Sequence, residues 1–471
     1  MSHCWGPIPF PVLTSLNYED YKKGFDQTEF PASFRDAFVT CRRLGIAYLW
    51  IDCYCIIQSG EGSEHDWRTE SARMKHVYAS AVLNIGSTAA SGPHDGLFRA
   101  RSSSPEMPFC VAWRPRPSDQ KCLYHVMTGY EGPQYLKLFD EHGLFTRGWI
   151  FQERLLANRM LHFAKSQMYW ECSGGGQTLA SEEHPEGMPA PRFKQNLYPW
   201  SLECSSSKLR NGKQSLQALW ADLVSNYSEL QLSFPEKDKL LAVGGIAERM
   251  ADLLQDQYVA GMFARDLIMQ LTWQVWRGRK RASRFRAPTW SWASSDGSIS
   301  LPQSIGDATT TIEKANLQLS NPADAFGAIA SASLRLRCRP MHAYLRPASA
   351  DPYRPAEQRV QIGDEVLAWA NDDDEELSTL PDRLFFVLLH VRIWADPSRD
   401  RALKLQEAVA LRASGRDRGI DRFAVDYHGL VLRQHDLASH RRAGSLVRRD
   451  DQTLHMFDAW RKATDEIITI T

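Results

Sequence analysis

Three carboxylates stand where a carboxylate needs a reason. Asp52 closes the apolar run "YLWI" at residues 48–51, where a buried strand would end. In a parallel α/β sheet, ligands bind outside the carboxyl ends of the strands, which makes Asp52 a candidate site residue. An aspartate at that point also suits a turn cap that accepts backbone N–H bonds. Glu70, in "DWRTESARMKHVY" at residues 66–78, shares a helical arc with Trp67, Met74 and Val77. It therefore faces partly inward and needs a partner, with Arg42, Arg43 or Arg73 in reach for an ion pair. Glu153, in "RGWIFQER" at residues 147–154, follows Trp149 by one helical turn. A salt bridge to Arg147 or Arg154 would lock that short helix.

The elements that must position these groups show in the hydrophobic pattern. "PASFRDAFVTCRRLG" (residues 31–45) predicts a helix, with Ser33 as N-cap and Asp36 completing a capping-box-like pair. Phe34, Ala37, Phe38, Cys41 and Leu44 form its apolar stripe and Gly45 its stop. "IAYLWID" then predicts a strand buried on both faces. A polar loop, "SGEGSEHD", leads to a second helix from about Asp66 to Ser80, and "AVLNIGS" from Ala81 predicts a second buried strand. Helix, strand, helix, strand is the doubly wound pattern. "RGWIFQERLLANRMLHFAKSQMYWEC" (residues 147–172) predicts a short helix followed by two strands around "AKSQ".

Further along, Leu216, Leu219, Trp220, Leu223 and Tyr227 mark one amphipathic helix, and Ile246, Met250, Leu253 and Leu254 a second. "APTWSWASSDG" ends that region with two tryptophans flanking Ser291. Beyond residue 300 the pattern is mostly strand-like: Leu334, Leu336 and Cys338 alternate with Arg335, Arg337 and Arg339. "NDDDEEL" (371–377) and "RASGRDRGIDR" (412–422) predict surface loops.

The chain of 471 residues exceeds one ordinary core, so two or three domains are expected. Its 56 basic and 56 acidic residues cancel, which leaves no global field for nucleic acid or anionic lipid. The nine cysteines are scattered and odd in number, with no C-x-x-C pair, which points to reduced thiols and a cytoplasmic setting. No apolar run reaches the roughly 18 to 20 residues of a membrane span, and the N-terminus carries no secretion signal. Phosphate loops, dinucleotide-binding glycine fingerprints, G-x-S-x-G elbows and H-E-x-x-H are all absent, and no Cys/His set has metal-ligand spacing. Cys53 and Cys55 read as two core thiols on one strand face, with a metal or redox pair as the alternative. The basic cluster "RGRKRASRFR" (277–286) reads as a solvated loop, with a nuclear signal or phosphate patch as the alternatives.

"SHCWG" (2–6), "SFRDAFVTCRRLGIAYLWIDCYCIIQ" (33–58), "DWRTESARMKHVYASAVLNIGSTAASGPHDGLF" (66–98), "RGWIFQERLLANRMLHF" (147–163) and "YWEC" (169–172) resemble, in order, the fungal heterokaryon-incompatibility (HET) domain family. "PEKDKLLAVGGIAERM", "YVAGMF" and "APTWSWAS" continue the likeness more loosely. The resemblance implies an α/β fold with a parallel sheet and flanking helices, related to the Toll/interleukin-receptor-like (TIR), flavodoxin-like arrangement. The resemblance gives a HET domain over 1–175, and the hydrophobic pattern a linker or loop over 176–213, a helical extension over 214–300 and a β-rich region over 301–471. Family members place a hydrophobic strand resembling "YVALS" before the S-x-C-W-G motif; here Met1 abuts "SHCWG", so that strand is expected to be missing, with His3, Cys4 and Trp5 in the loop after it.

The resemblance implies a part in fungal allorecognition, a form of innate immunity. HET-domain proteins trigger programmed cell death when incompatible hyphae fuse, usually with a protein partner; self-association stays open. Some TIR domains instead cleave NAD with a glutamate placed after a tryptophan, as Glu153 is after Trp149. The alternative is therefore an NAD-cleaving enzyme in which Glu153 stabilises positive charge on the ribose as nicotinamide leaves. Asp52 and Glu70 would be further catalytic carboxylates, and Cys4, Trp5, Arg147 and Trp149 ligand contacts, the tryptophans stacking on nicotinamide or adenine. NAD enters only as a substrate, with no cofactor established and no metal implied.

Overall fold

A computed structural model describes residues 1–99, 109–114, 122–126, 143–165, 167–174, 179–182, 194, 216–302, 307–346, 358–362, 365–371, 384–394, 402–403, 424–434, 440–450 and 460–471. The chain divides into two compact units, Met1–Asn211 and Gly212–Thr471.

In the first unit the helices are α1 (Tyr18–Lys23), α2 (Ala32–Arg43), α3 (Asp52–Cys55), α4 (Ser63–Ser80) and α5 (Gly148–Leu156). The strands are β1 (Asn84–Gly86), the hairpin β2 (Phe109–Trp113) and β3 (Cys122–Val126), then β4 (Arg159–Phe163), β5 (Met168–Cys172) and β6 (Leu179–Ser181). Strands β1, β4, β5 and β6 form one sheet in that order. β1 and β4 run parallel, with Ile85 opposite Leu161, whereas β4–β5 and β5–β6 are antiparallel. The mixed α/β character expected from the sequence is present. The described sheet is mostly antiparallel, with a single parallel pair extended by a parallel bridge between Ser2 and Gly86.

α2 follows the predicted period. Phe34, Ala37 and Cys41 are buried and join Met1, Phe30, Ile51, Cys53, Ile85, Leu97 and Phe163 in one core. Its start differs from expectation. Pro31 takes the N-cap position, because its preset φ of −53° suits helix entry. Asp36 stays within the helix, and its carboxylate accepts the backbone N–H groups of Leu97 at 2.7 Å and Phe98 at 3.2 Å rather than completing a capping box. Gly45 adopts φ +68° and stops the helix, with Ile46 N–H donating back to the Cys41 carbonyl at 2.8 Å. Leu44, expected in the stripe, is exposed.

"IAYLWI" departs most from expectation. It takes no strand pairing, and Tyr48 is 92% exposed. A strand needs a neighbour to bond with. Its described long-range backbone bond comes from the Met1 amino group to the Trp50 carbonyl at 2.9 Å, while Ile46 and Ile51 bond locally to Cys41 and to Tyr54 and Cys55. Asp52 accordingly opens the one-turn helix α3 rather than ending a strand. That turn also separates the two thiols: Cys53 is buried and Cys55 exposed. They do not share a strand face.

In the second unit, helices Leu216–Ser228 and Leu241–Leu254 bury the predicted apolar residues except Leu216 and Leu253, which are half-buried, with Trp220 and Tyr227 fully enclosed. Trp290 and Trp292 are buried on either side of Ser291, whose hydroxyl donates to the Ala260 carbonyl at 2.6 Å. Strand Gln274–Arg281 pairs with Ser295–Ser300, so the basic cluster is half strand. Its last arginine, Arg286, is buried against Asp296 at 2.6 Å. A large, mostly antiparallel sheet follows, and Leu334, Leu336 and Cys338 point inward while Arg335 and Arg337 stay exposed, as the alternation predicts. The two predicted acidic and arginine-rich loops lie outside the described residues, Asn371 excepted, and so does most of 176–213. Among the described residues no helix is long and apolar enough to cross a membrane.

Candidate functional site

The first four residues organise the site through strand-like alternation. Ser2 N–H donates to the Ile85 carbonyl at 2.8 Å, and Ser87 N–H donates to the Ser2 carbonyl at 2.9 Å. Ser2 thereby bridges to β1, and His3, Cys4 and Trp5 follow it outside any strand, as expected, with His3 and Cys4 buried. Successive side chains point to opposite faces. Met1 and His3 turn toward the core of α2, where the His3 ring meets Phe34 edge-on at 5.0 Å. Ser2 and Cys4 turn toward α5, Cys4 packing with Leu144 and Ile150.

On the α2 side, Asp52 is the focus. Its Oδ1 accepts the Cys53 N–H at 2.8 Å, which is the capping bond expected for it. Its Oδ2 accepts the Trp5 indole N–H at 3.2 Å. His3 Nδ1 stands 3.5 Å from Oδ1, and the Trp5 ring lies nearly parallel to the imidazole, 6.3 Å away. Burial holds the His3 ring below its ordinary range, partly opposed by the Asp52 charge. Asp52 keeps 26% of its side chain exposed. It therefore joins a buried imidazole to the surface.

On the opposite side, Glu153 is buried with 6% of its surface exposed. The helix carrying it is apolar nearly all round, so α5 is enclosed and takes its one acid inside. Ser2 Oγ donates to Glu153 Oε2 at 2.5 Å, and Asn84 Nδ2 donates to Ser2 Oγ at 2.9 Å. Burial pushes the Glu153 carboxyl up to about 7; hydrogen bonds from Ser2 and Tyr78 restrain the rise, and the Asp52 charge adds to it. The expected salt bridge to Arg147 or Arg154 does not form. Arg154 instead clamps Glu171, through Nε at 3.0 Å and Nη2 at 3.0 Å. Arg147 stands at the start of α5, where its charge acts on Cys4 and His3.

Glu70 and Trp149 lie apart from both groups. Arg73, one of the three expected partners, donates to Glu70 Oε1 at 2.9 Å. Trp149 meets Trp67 edge-on at 5.8 Å across the packing of α4 and α5. The seven candidates thus fall into a His3-side pair, Asp52 and Trp5; a Ser2-side set, Glu153 and Cys4 with Arg147 at its edge; and the outlying Glu70 and Trp149.

A third cluster was not anticipated. Glu171 on β5 meets Arg154, His162 Nε2 at 3.2 Å and Lys194 Nζ at 3.7 Å. His162 Nδ1 lies 3.3 Å from Thr88 Oγ1. Burial disfavours the Glu171 charge, yet Arg154, Lys194 and His162 together hold it well below the usual carboxylate range. Burial also pushes Lys194 down to about 8, against the pull of Glu171. Polar residues inside the short apolar runs "RMLHF" and "MYWEC" were the available signal, since a buried charge needs a partner.

Residues 1–153 match the family model described as heterokaryon incompatibility protein (HET). No curated protein and no solved structure matches the chain.

Proposed function

We propose, from the premise that residues 1–153 belong to the heterokaryon incompatibility family, that the chain is a self/non-self recognition module. It triggers programmed cell death through a protein partner. The observation favouring a signalling module over an NAD-cleaving enzyme is the position of Glu153. A carboxylate that stabilises charge on a ribose must come within hydrogen-bond reach of it. Here the carboxyl is enclosed, its Oε2 is taken by Ser2, and burial raises its proton affinity to about 7. Those are the features of an internal tie between the N-terminal segment and α5.

Expression in a fungal host, with cellular NAD followed alongside growth, tests this. The expected result is growth arrest or death at unchanged NAD, retained in the Glu153→Gln variant. An NAD loss that Glu153→Gln abolishes without unfolding the chain would replace this reading with the enzymatic one. Normal growth alongside abundant folded protein would remove the death-signalling role.

A further inference from the structure

His3, Asp52 and Cys53 each offer one ligand atom, and these atoms all lie within 4.8 Å of one another. We propose that these three residues form a binding site for a divalent transition-metal ion, with Zn2+ as the best-matched occupant. The site is independent of the signalling role proposed above.

The donor set argues for the metal. One imidazole nitrogen, one carboxylate oxygen and one sulfur are the ligand types that Zn2+ combines, whereas Mg2+ and Ca2+ select oxygen alone. Bond lengths of roughly 2.0 to 2.3 Å in a tetrahedron put neighbouring ligand atoms roughly 3.3 to 3.8 Å apart. His3 Nδ1 and Asp52 Oδ1 are already 3.5 Å apart. The thiol needs a shift of about 1 Å at most to complete that spacing.

The His3 side chain is 2% exposed, so a metal on its Nδ1 would be held away from bulk water. The charges also balance. Asp52 and a Cys53 thiolate carry two negative charges against the two positive charges of the ion, and the thiol proton leaves to solvent on binding. This matters because the Met1 amino group and Arg147 both act on His3 as cations.

Access and support follow from the same geometry. Asp52, 26% exposed, is the entry side, and three protein ligands leave a fourth tetrahedral position for water. The Trp5 indole N–H on Asp52 Oδ2 fixes the carboxylate from behind, as outer hydrogen bonds do in metal sites. Sequence spacing hides the set: His3 and Asp52 lie in separate motifs, and the nearest thiol to Asp52 is its direct neighbour.

The test uses the full chain with a native N-terminus and no tag, titrated with Co2+ and then with Zn2+. One equivalent of Co2+ should give a thiolate-to-cobalt charge-transfer absorption that Zn2+ abolishes. Cys53→Ser, a near-isosteric change, should lose that absorption while the protein stays folded; Cys55→Ser should keep it. Trp5→Phe should weaken Zn2+ binding about 10-fold to 100-fold, as loss of an outer-shell partner does. No uptake by the folded chain, or an absorption that survives Cys53→Ser, would overturn the site. A band lost in Cys55→Ser would move it to the exposed thiol and overturn it equally.

Discussion

Glu153 and Glu171 are both buried glutamates of the N-terminal unit, one on α5 and one on β5, yet they sit in opposite states. Glu171 is ringed by Arg154, His162 and Lys194 and stays ionised far below the usual range. Glu153 is met by the Ser2 hydroxyl and by Tyr78, and its carboxyl is pushed up to about 7. Burial acts on both in the same direction. The partners decide the outcome: cations compensate a buried charge, whereas hydroxyls only soften its desolvation. Glu171 is a charged anchor for two strands and a helix, and Glu153 is a tie of raised proton affinity between the N-terminal segment and α5.

The largest expected effect comes from making Glu171 resemble Glu153. Arg154→Met removes the bidentate cation and leaves a buried charge short of compensation. Such a loss costs about 3 to 5 kcal/mol, read from amide hydrogen exchange in β1 and β4. A loss below about 1 kcal/mol, the scale of an ordinary hydrogen bond, would mean that His162 and Lys194 suffice.

Next comes the pH dependence of Glu153. Its folded value is raised from 4.5 to about 7, so the folded state binds the proton more tightly than the unfolded chain does. The stabilisation is fully present below 4.5 and is lost as pH climbs through about 7. Linkage gives about 3 kcal/mol for that span. Glu153→Gln should flatten the curve between those limits, and an unchanged slope would assign the pH dependence elsewhere.

The smallest effect is the control. Arg73→Ala breaks an ion pair whose arginine is largely exposed, and should cost no more than about 0.5 kcal/mol. A larger cost would place Glu70 in the same class as Glu171.

Much was legible beforehand. The 3.6-residue period of "SFRDAFVTC" specified the buried face of α2, because apolar area alone drives that choice. The β4–β5 hairpin followed from two short apolar runs around "AKSQ". The alternation from Leu334 to Cys338 specified which side chains point inward. Each of these depends on residues within a few positions of one another. The motif order over the first part of the chain anticipated the family-model match over residues 1–153.

Pairing across distance was not legible. Tyr48–Ile51 has the composition of a buried strand, but a strand exists only where a neighbour supplies its hydrogen bonds, and composition does not name the neighbour. Glu153 looked ready for an arginine one residue away; its hydroxyl partner is 151 positions distant. The sequence by itself determined which faces of the helices and of the β4–β5 hairpin are apolar, because local periodicity and transfer free energy act within single elements. Only the tertiary structure decided which carboxylate has its proton affinity raised, which is clamped by cations, and which stands beside an imidazole and a thiol. Those outcomes depend on burial and on charges brought together by folding, at distances of a few ångströms that no spacing along the chain encodes.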